Sequence, residues 1–128
     1  MSQDLRLKAQ KASEEAYSPY SKVNVGAAVE TSEGDIYSGC NIENASFGGT
    51  VCAERVAIWK AVSEGKKELK KIYVYTDDGW PPCGLCLQTM SEFSSPELKI
   101  IMGDKDGKET TKTLKDLLPF AFTPQHME

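Results

Sequence analysis

No stretch of this 128-residue sequence is apolar for the length a membrane-crossing helix needs, and the N-terminus has no charged-then-apolar leader. Both absences argue against a membrane or secreted setting, and the expected location is the cytoplasm. There is no excess of basic residues either, the formal net charge being −4. Polynucleotide binding depends on Lys and Arg neutralising phosphates, so the expected substrate is small, with neither a nucleic acid polymer nor a membrane as partner. The weak basic grouping of Lys66, Lys67, Lys70 and Lys71 reads as a solvated helix end and loop. Histidine occurs once, as His126 in the C-terminal tail, where it reads as solvated. No internal repeat or low-complexity linker interrupts the chain, and residues 1–128 are expected to form a single domain with a real core. Cysteine is sparse at four residues. In a reducing compartment, four cysteines that include a Cys-x-x-Cys pair point to metal or redox chemistry more than to disulfides.

What is present is a regular alternation of patterns. Residues 4–16 carry a narrow stripe of Leu5, Ala9, Ala12 and Ala16, which predicts an amphipathic helix packed closely on something flat. Pro19 stops it. Residues 23–30 alternate as a strand, and Ser32-Glu33-Gly34-Asp35 turns the chain into a second strand over 36–42, predicting a hairpin. A helix is expected from about Thr50 to Glu64, with Ala57, Ile58, Ala61 and Val62 as its apolar face and Gly65 as its stop. Then follow a strand over 72–76, a helix over 84–93 and a doubly buried strand over 98–102. A polar edge strand over 108–112 and a short helix capped by Thr113 complete the chain. This order predicts an α/β protein: three layers, α/β/α, around a mixed five-stranded sheet with helices on both faces.

Two short segments carry the chemistry: Cys52-Ala53-Glu54 and Pro82-Cys83-Gly84-Leu85-Cys86. Three thiolates can hold one Zn²⁺ and leave its fourth tetrahedral position open, whereas a closed structural site usually takes four protein ligands. Both segments fall at helix starts, where the positive dipole end favours thiolate. Glu54 alone would read as an ordinary first-turn carboxylate; two residues after a metal ligand, it becomes a candidate proton shuttle. The spare thiol, Cys40, reads as a small core residue. A Cys, a gap of one, a Glu, then Pro-Cys-x-x-Cys is the arrangement of zinc deaminases that act on nucleobases.

Further residues sharpen this. The chain resembles the small homotetrameric cytidine deaminases of pyrimidine salvage in Tyr17-Ser-Pro-Tyr-Ser-Lys-Val-Asn-Val-Gly-Ala-Ala28, Gly39-Cys-Asn-Ile-Glu-Asn44 and Cys52-Ala-Glu-Arg55. The likeness continues through Ala61-Val-Ser-Glu-Gly65, Pro82-Cys-Gly-Leu-Cys-Leu-Gln88 and Leu117-Leu-Pro119. It covers nearly the whole chain in order. It implies one zinc per chain on Cys52, Cys83 and Cys86, with Glu54 shuttling protons. It also implies a nucleoside substrate and a homotetramer whose sites neighbouring subunits complete.

The resemblance implies further roles. Asn41 and Glu43, two apart on an extended segment, can point the same way and suit ribose hydroxyls; otherwise they are turn-forming residues at a strand end. Arg55 is expected beside the ligand sulfurs, offsetting the net −1 charge of three thiolates around Zn²⁺; otherwise it is a surface arginine. The Pro81 carbonyl and the Cys52–Ala53 backbone are expected to orient the amine and the O2 edge. Tyr20, Phe47 and Phe122 are aromatic candidates for the base, against ordinary packing. Two departures stand out. Leu87 occupies a place where the family usually has a second arginine. Val23 stands where it commonly has phenylalanine, leaving space beside the pyrimidine unless Phe47, Trp80 or Phe120 fills it. The expected reaction is hydrolytic deamination of cytidine and 2′-deoxycytidine. Alternatives are deamination of another aminopyrimidine nucleoside, of the blasticidin type or N4-substituted, and a non-catalytic zinc-stabilised nucleoside-binding module. Glu54 discriminates against the latter, which has no need of it.

Overall fold

The computed structural model describes residues 2–128. Helix α1 (Ser2–Ser13) leads into a hairpin of β1 (Gly26–Thr31) and β2 (Ile36–Cys40). Helix α2 (Ala53–Ser63), strand β3 (Leu69–Tyr75), helix α3 (Gly84–Glu92) and strand β4 (Lys99–Gly103) follow. Strand β5 (Glu109–Thr113) and helix α4 (Leu114–Leu117) end the regular structure, apart from 3₁₀ turns at Phe47–Gly49 and Pro124–Met127. The five strands form one mixed sheet, as the alternation of patterns predicts, in the order β2-β1-β3-β4-β5. Only β3 and β4 run parallel, and α3 makes the crossover a parallel pair requires; β1–β2, β1–β3 and β4–β5 are antiparallel.

The sheet is covered on both faces. On one, Ala27, Val29, Ile72, Ile100 and Met102 pack with Ala57, Ile58 and Ala61 of α2 and Met90 of α3. On the other, Ala28, Tyr73, Tyr75 and Ile101 meet Leu5 and Ala9 of α1. Strand β4 sends Ile100 and Met102 one way and Ile101 the other, so its aliphatic run is buried on both sides. Strand β5 is the polar, exposed edge. Among the described residues no helix is long and apolar enough to cross a membrane.

Several boundaries move, for physical reasons. The stripe of α1 is Leu5, Ala9 and Ser13, a spacing of four, and the helix ends at Ser13, three residues before the predicted end. Ala12 and Ala16 remain partly exposed. The approach to the sheet is so close that a Cβ on Gly26 would lie 1.8 Å from the Ala9 carbonyl oxygen. Strand β1 begins at Gly26, not Val23, because Val23 and Val25 are tied to the Asn41 side chain, with a single backbone bond from Asn41 N–H to the Val25 carbonyl. Strand β2 ends at Cys40, which is half-buried at the strand terminus and so is not the core residue expected. Helix α2 starts at Ala53 because Val51 pairs back with Ile42 through two backbone hydrogen bonds. Gly65 adopts φ 87°, the left-handed conformation a helix stop favours. Thr113 caps α4 and Asp116 returns the bond, a full capping box.

Candidate active site

The cleft opens where the β3 carboxyl end meets the amino end of β1; Gly26 and Tyr75 are register partners there. Its volume is about 360 Å³, within the roughly 300–1,000 Å³ typical of small-molecule sites. Three stretches wall it: residues 21–25, residues 41–54, and the loop from Thr76 to Cys83. The first two are laced together by Asn41 N–H donating to the Val25 carbonyl and Ser21 N–H donating to the Glu43 carboxylate.

At the floor, Cys52 and Cys83 each stand as the N-cap residue of a helix, α2 and α3 respectively, in extended conformation. Cys86 lies one turn into α3, fully buried. The three Sγ atoms lie within 4.8 Å of one another, and Cys52 and Cys83 are 3.8 Å apart. Zinc–sulfur bonds of about 2.3 Å at tetrahedral angles separate sulfurs by roughly 3.8 Å, so the spacing fits that ion. The charge distribution fits it too. The Cys86 thiol and the Arg55 guanidinium hold Cys52 below the ordinary thiol range, while the same contact with Cys52 raises Cys86. A divalent cation held there would favour thiolate over thiol.

Glu54 follows Cys52 by two, in the first turn of α2, and is 4% exposed. Burial lifts its carboxyl from 4.5 to about 7. A carboxyl poised there can both take and give protons near neutrality. Arg55 Nη2 donates to Cys52 Sγ at 3.5 Å, and its guanidinium stacks over Trp59, 5.7 Å from the ring centre. The arginine is therefore anchored at the sulfurs, not free on the surface. Leu87, one residue after Cys86, is buried in the apolar core against the sheet.

At the far end, Glu43 accepts from the Tyr20 and Ser21 backbone N–H groups at 3.0 and 3.1 Å and from the Ser21 hydroxyl. The Ser21 hydroxyl above all holds its carboxyl below the usual range. Asn41, 8% exposed, accepts from Val25 N–H at 2.9 Å and donates to the Val23 carbonyl at 2.8 Å. Half of its hydrogen-bonding capacity is thus committed to residues 23–25, leaving one N–H and one lone pair.

The cleft thus brings together Val23, Asn41, Glu43, Cys52, Ala53, Glu54, Pro81 and Cys83. It does not bring Phe47 or Phe122. Phe47 is 77% exposed on a 3₁₀ turn, edge-on to Tyr20 at 6.1 Å. Phe122 stacks on His126 at 5.5 Å, and its carbonyl accepts from Gln88. His126 is exposed as expected but not idle, since its Nδ1 accepts from Thr123 N–H. Phe120 is 93% exposed and fills nothing beside Val23; Trp80 does line the cleft. Pattern reading passed over Thr76 and Ser21. Thr76 is 2% exposed, and its hydroxyl accepts from Trp80 N–H at 2.7 Å. A hydroxyl at a strand end carries no sign of that in sequence.

Residues 1–102 match the family model described as the cytidine and deoxycytidylate deaminase zinc-binding region. The chain belongs to this deaminase family. A protein named cytidine deaminase from Halalkalibacterium halodurans is 45% identical over 91% of this chain and 89% of its own. The crystal structure of a cytidine deaminase from Burkholderia pseudomallei superposes with a TM-score of 0.91 at 38% identity, covering 95% of this chain and 99% of that one. A protein named blasticidin-S deaminase from Bacillus cereus is 34% identical over 80% of this chain and 79% of its own. The family is zinc-binding, and the Cys52, Cys83 and Cys86 cluster is placed to hold a metal ion.

Proposed function

We propose that this chain hydrolyses the exocyclic amine of cytidine and 2′-deoxycytidine, giving uridine or 2′-deoxyuridine and ammonia, with residues 1–128 acting as one catalytic domain. The observation that carries the reading is a buried carboxyl, Glu54, set beside three converging thiols at the floor of a nucleoside-sized cleft. A binding module has no use for a carboxyl there, which would only cost desolvation. Cys52, Cys83 and Cys86 hold one Zn²⁺, which when bound makes water at the cleft floor acidic enough to attack near neutral pH.

The remaining work falls to the chain. Glu54 accepts a proton from the attacking water, gives one to N3, and carries one to the departing amine. Overall, the water oxygen bonds C4, the C4–N bond breaks, and the two water protons end on N3 and on ammonia. Arg55 balances the charge of the sulfurs. Pro81 and the Cys52–Ala53 backbone orient the amine and the O2 edge. Glu43, with the remaining capacity of Asn41, takes the sugar hydroxyls. A buried polar partner left empty is strongly penalised, so free cytosine is a poor substrate. Val23, Val25, Val74 and Trp80 supply the apolar walls. The protein works as a cytoplasmic homotetramer in which Phe47 and Phe122 serve bases in neighbouring subunits.

The test is direct. Purified protein carries about one zinc per chain and releases ammonia from cytidine. Glu54→Gln keeps zinc and fold and loses at least about three orders of magnitude in turnover, since one group handles several proton transfers. A variant retaining a tenth of wild-type turnover would show that another group moves the protons.

A further inference from the structure

A second cleft, of about 350 Å³, lies against the first. The two share three wall residues, Val23, Thr76 and Trp80. Along residues 21–25 the chain weaves between them. Ser21 and Val25 line the nucleoside cleft, Lys22 and Asn24 line the second, and Val23 touches both. Lys22 sits at φ 64°, the one non-glycine residue in the left-handed region among the described residues. That conformation is costly for a lysine. It is held in place by Lys22 N–H donating to the Ser18 carbonyl and by Val23 N–H donating to Ser21 Oγ. The partition between the clefts is therefore fixed by the backbone, and it is thin: a valine and a threonine side chain with one half-exposed indole. The clefts differ in character. The nucleoside cleft sets valines and Pro81 beside a few polar groups such as Asn41 and Glu43, whereas the second is lined by Gln10, Ser13 and Asn24 with Glu14, Asp77 and Asp78 against Lys22. Three carboxylates against one ammonium leave it two negative charges in excess.

We propose that this second cleft is an annex of the nucleoside site, taking a polar substituent carried by the pyrimidine at C5, cationic in preference to anionic, and that Val23 sets how much of it passes. The proposal rests on the deaminase reading and deepens it. C4 lies between N3 and C5 in the ring. A base with C4 at the thiols and N3 at Glu54 of α2 turns C5 away from α2. Val23, Thr76 and Trp80 are walls of the cleft that lie outside α2 and are the ones it shares with the second cleft. The reaction is unchanged: water oxygen bonds C4, ammonia leaves, and the C5 arm is retained in the product.

Steady-state kinetics on the zinc-loaded protein test this with cytidine, 5-(3-aminoallyl)cytidine and 5-(2-carboxyvinyl)cytidine. The expected kcat/KM for the aminoallyl compound lies within about thirtyfold of cytidine and about tenfold or more above the carboxyvinyl compound. Val23→Phe lowers the aminoallyl-to-cytidine ratio by about tenfold or more. The Asp77→Asn/Asp78→Asn double variant, outside the cytidine site, narrows the aminoallyl-to-carboxyvinyl ratio by about threefold or more and leaves cytidine turnover as it was. It also keeps the test alive if Val23→Phe fails to fold. Cytidine turned over normally with the aminoallyl arm rejected beyond about thirtyfold, or with both ratios unmoved in the variants, overturns the annex alone. No turnover of cytidine by the wild type would strike the deaminase reading instead.

Discussion

Arg55 shows how much a single side chain decides at this site. Three thiolates around a divalent cation would leave one negative charge, and a guanidinium hydrogen-bonded to Cys52 stands where it would offset that charge. Its Nε–H is buried without a partner, and Leu87, packed into the core, leaves the position after Cys86 with no charge to share the load. Arg55→Ala is expected to weaken zinc binding by about 10- to 100-fold, the usual cost of losing a group that supports a metal ligand. Competition against a chromophoric chelator reads this. Arg55→Lys should recover only part, because an ammonium lacks the planar fork and its stacking on Trp59. Unchanged affinity in Arg55→Ala would make the arginine a packing residue. The thiols and Glu54 were legible in sequence because their spacing is short and falls at helix starts. The work of Asn41 was not. A polar residue at a strand end gives no hint that groups of Val23 and Val25, 18 and 16 positions earlier, will come to it.

Among the elements, α1 supplies one wall of the second cleft through Gln10 and Ser13 and packs hard on the start of β1. The Ala9 carbonyl approaches Gly26 so closely that no side chain fits. Gly26→Ala is expected to cost at least about 2 kcal/mol, since the clash is with backbone and cannot be relieved by a rotamer change. A denaturation midpoint close to wild type would mean that α1 shifts freely. The same helix is tied to the far edge of the sheet. Arg6 donates to the Tyr73 hydroxyl at 2.8 Å and to the Asp104 carbonyl at 2.9 Å, and Tyr73 donates to Glu109 at 2.6 Å. Burial first, then the bond to Glu109, pushes the Tyr73 phenol from 10 to about 12. The folded state therefore holds this proton more tightly than the unfolded chain does. Its contribution to stability is complete below about pH 10 and is lost as the pH rises toward 12, an expected loss of about 2–3 kcal/mol. Wild type should lose stability over that window more steeply than Tyr73→Phe; parallel curves would place the phenol's proton elsewhere. Strand and helix periods announced these elements, but the start of β1 was misplaced by three residues. Val23 and Val25 alternate like a strand, yet they pair with a side chain.

For the whole molecule, the telling feature is apolar surface. Phe120, Phe122 and Met127 of the C-terminal segment, with Leu85 and Trp59, are all at least 49% exposed. Large exposed aromatics at this density mark association surfaces, in keeping with the proposed homotetramer. Light scattering on the zinc-loaded protein should give about four chains per particle, the state the resemblance implies. Phe122→Ala should raise KM for cytidine by about 2- to 12-fold, the scale of 0.5–1.5 kcal/mol for a lost aromatic contact, while zinc content stays the same. A fully active monomer would exclude shared sites.

What the sequence by itself determined is which groups the proposed chemistry calls on, three thiols placed to hold a metal ion and a carboxyl close by, and that strands and helices alternate around a mixed sheet. Those properties are local. Ligand spacing, helix period and capping act within a few residues, so a linear string carries them. Only the tertiary structure decided the shape of the space around that chemistry. It pinned residues 21–25 through Asn41, turned Glu43 onto the Ser21 hydroxyl, set Thr76 under Trp80, and divided the mouth into two clefts with Val23 between them. Each of these joins groups distant in sequence or threads one residue between two surfaces. Close packing settles such geometry, because in a dense interior the position of every side chain depends on neighbours from several elements at once.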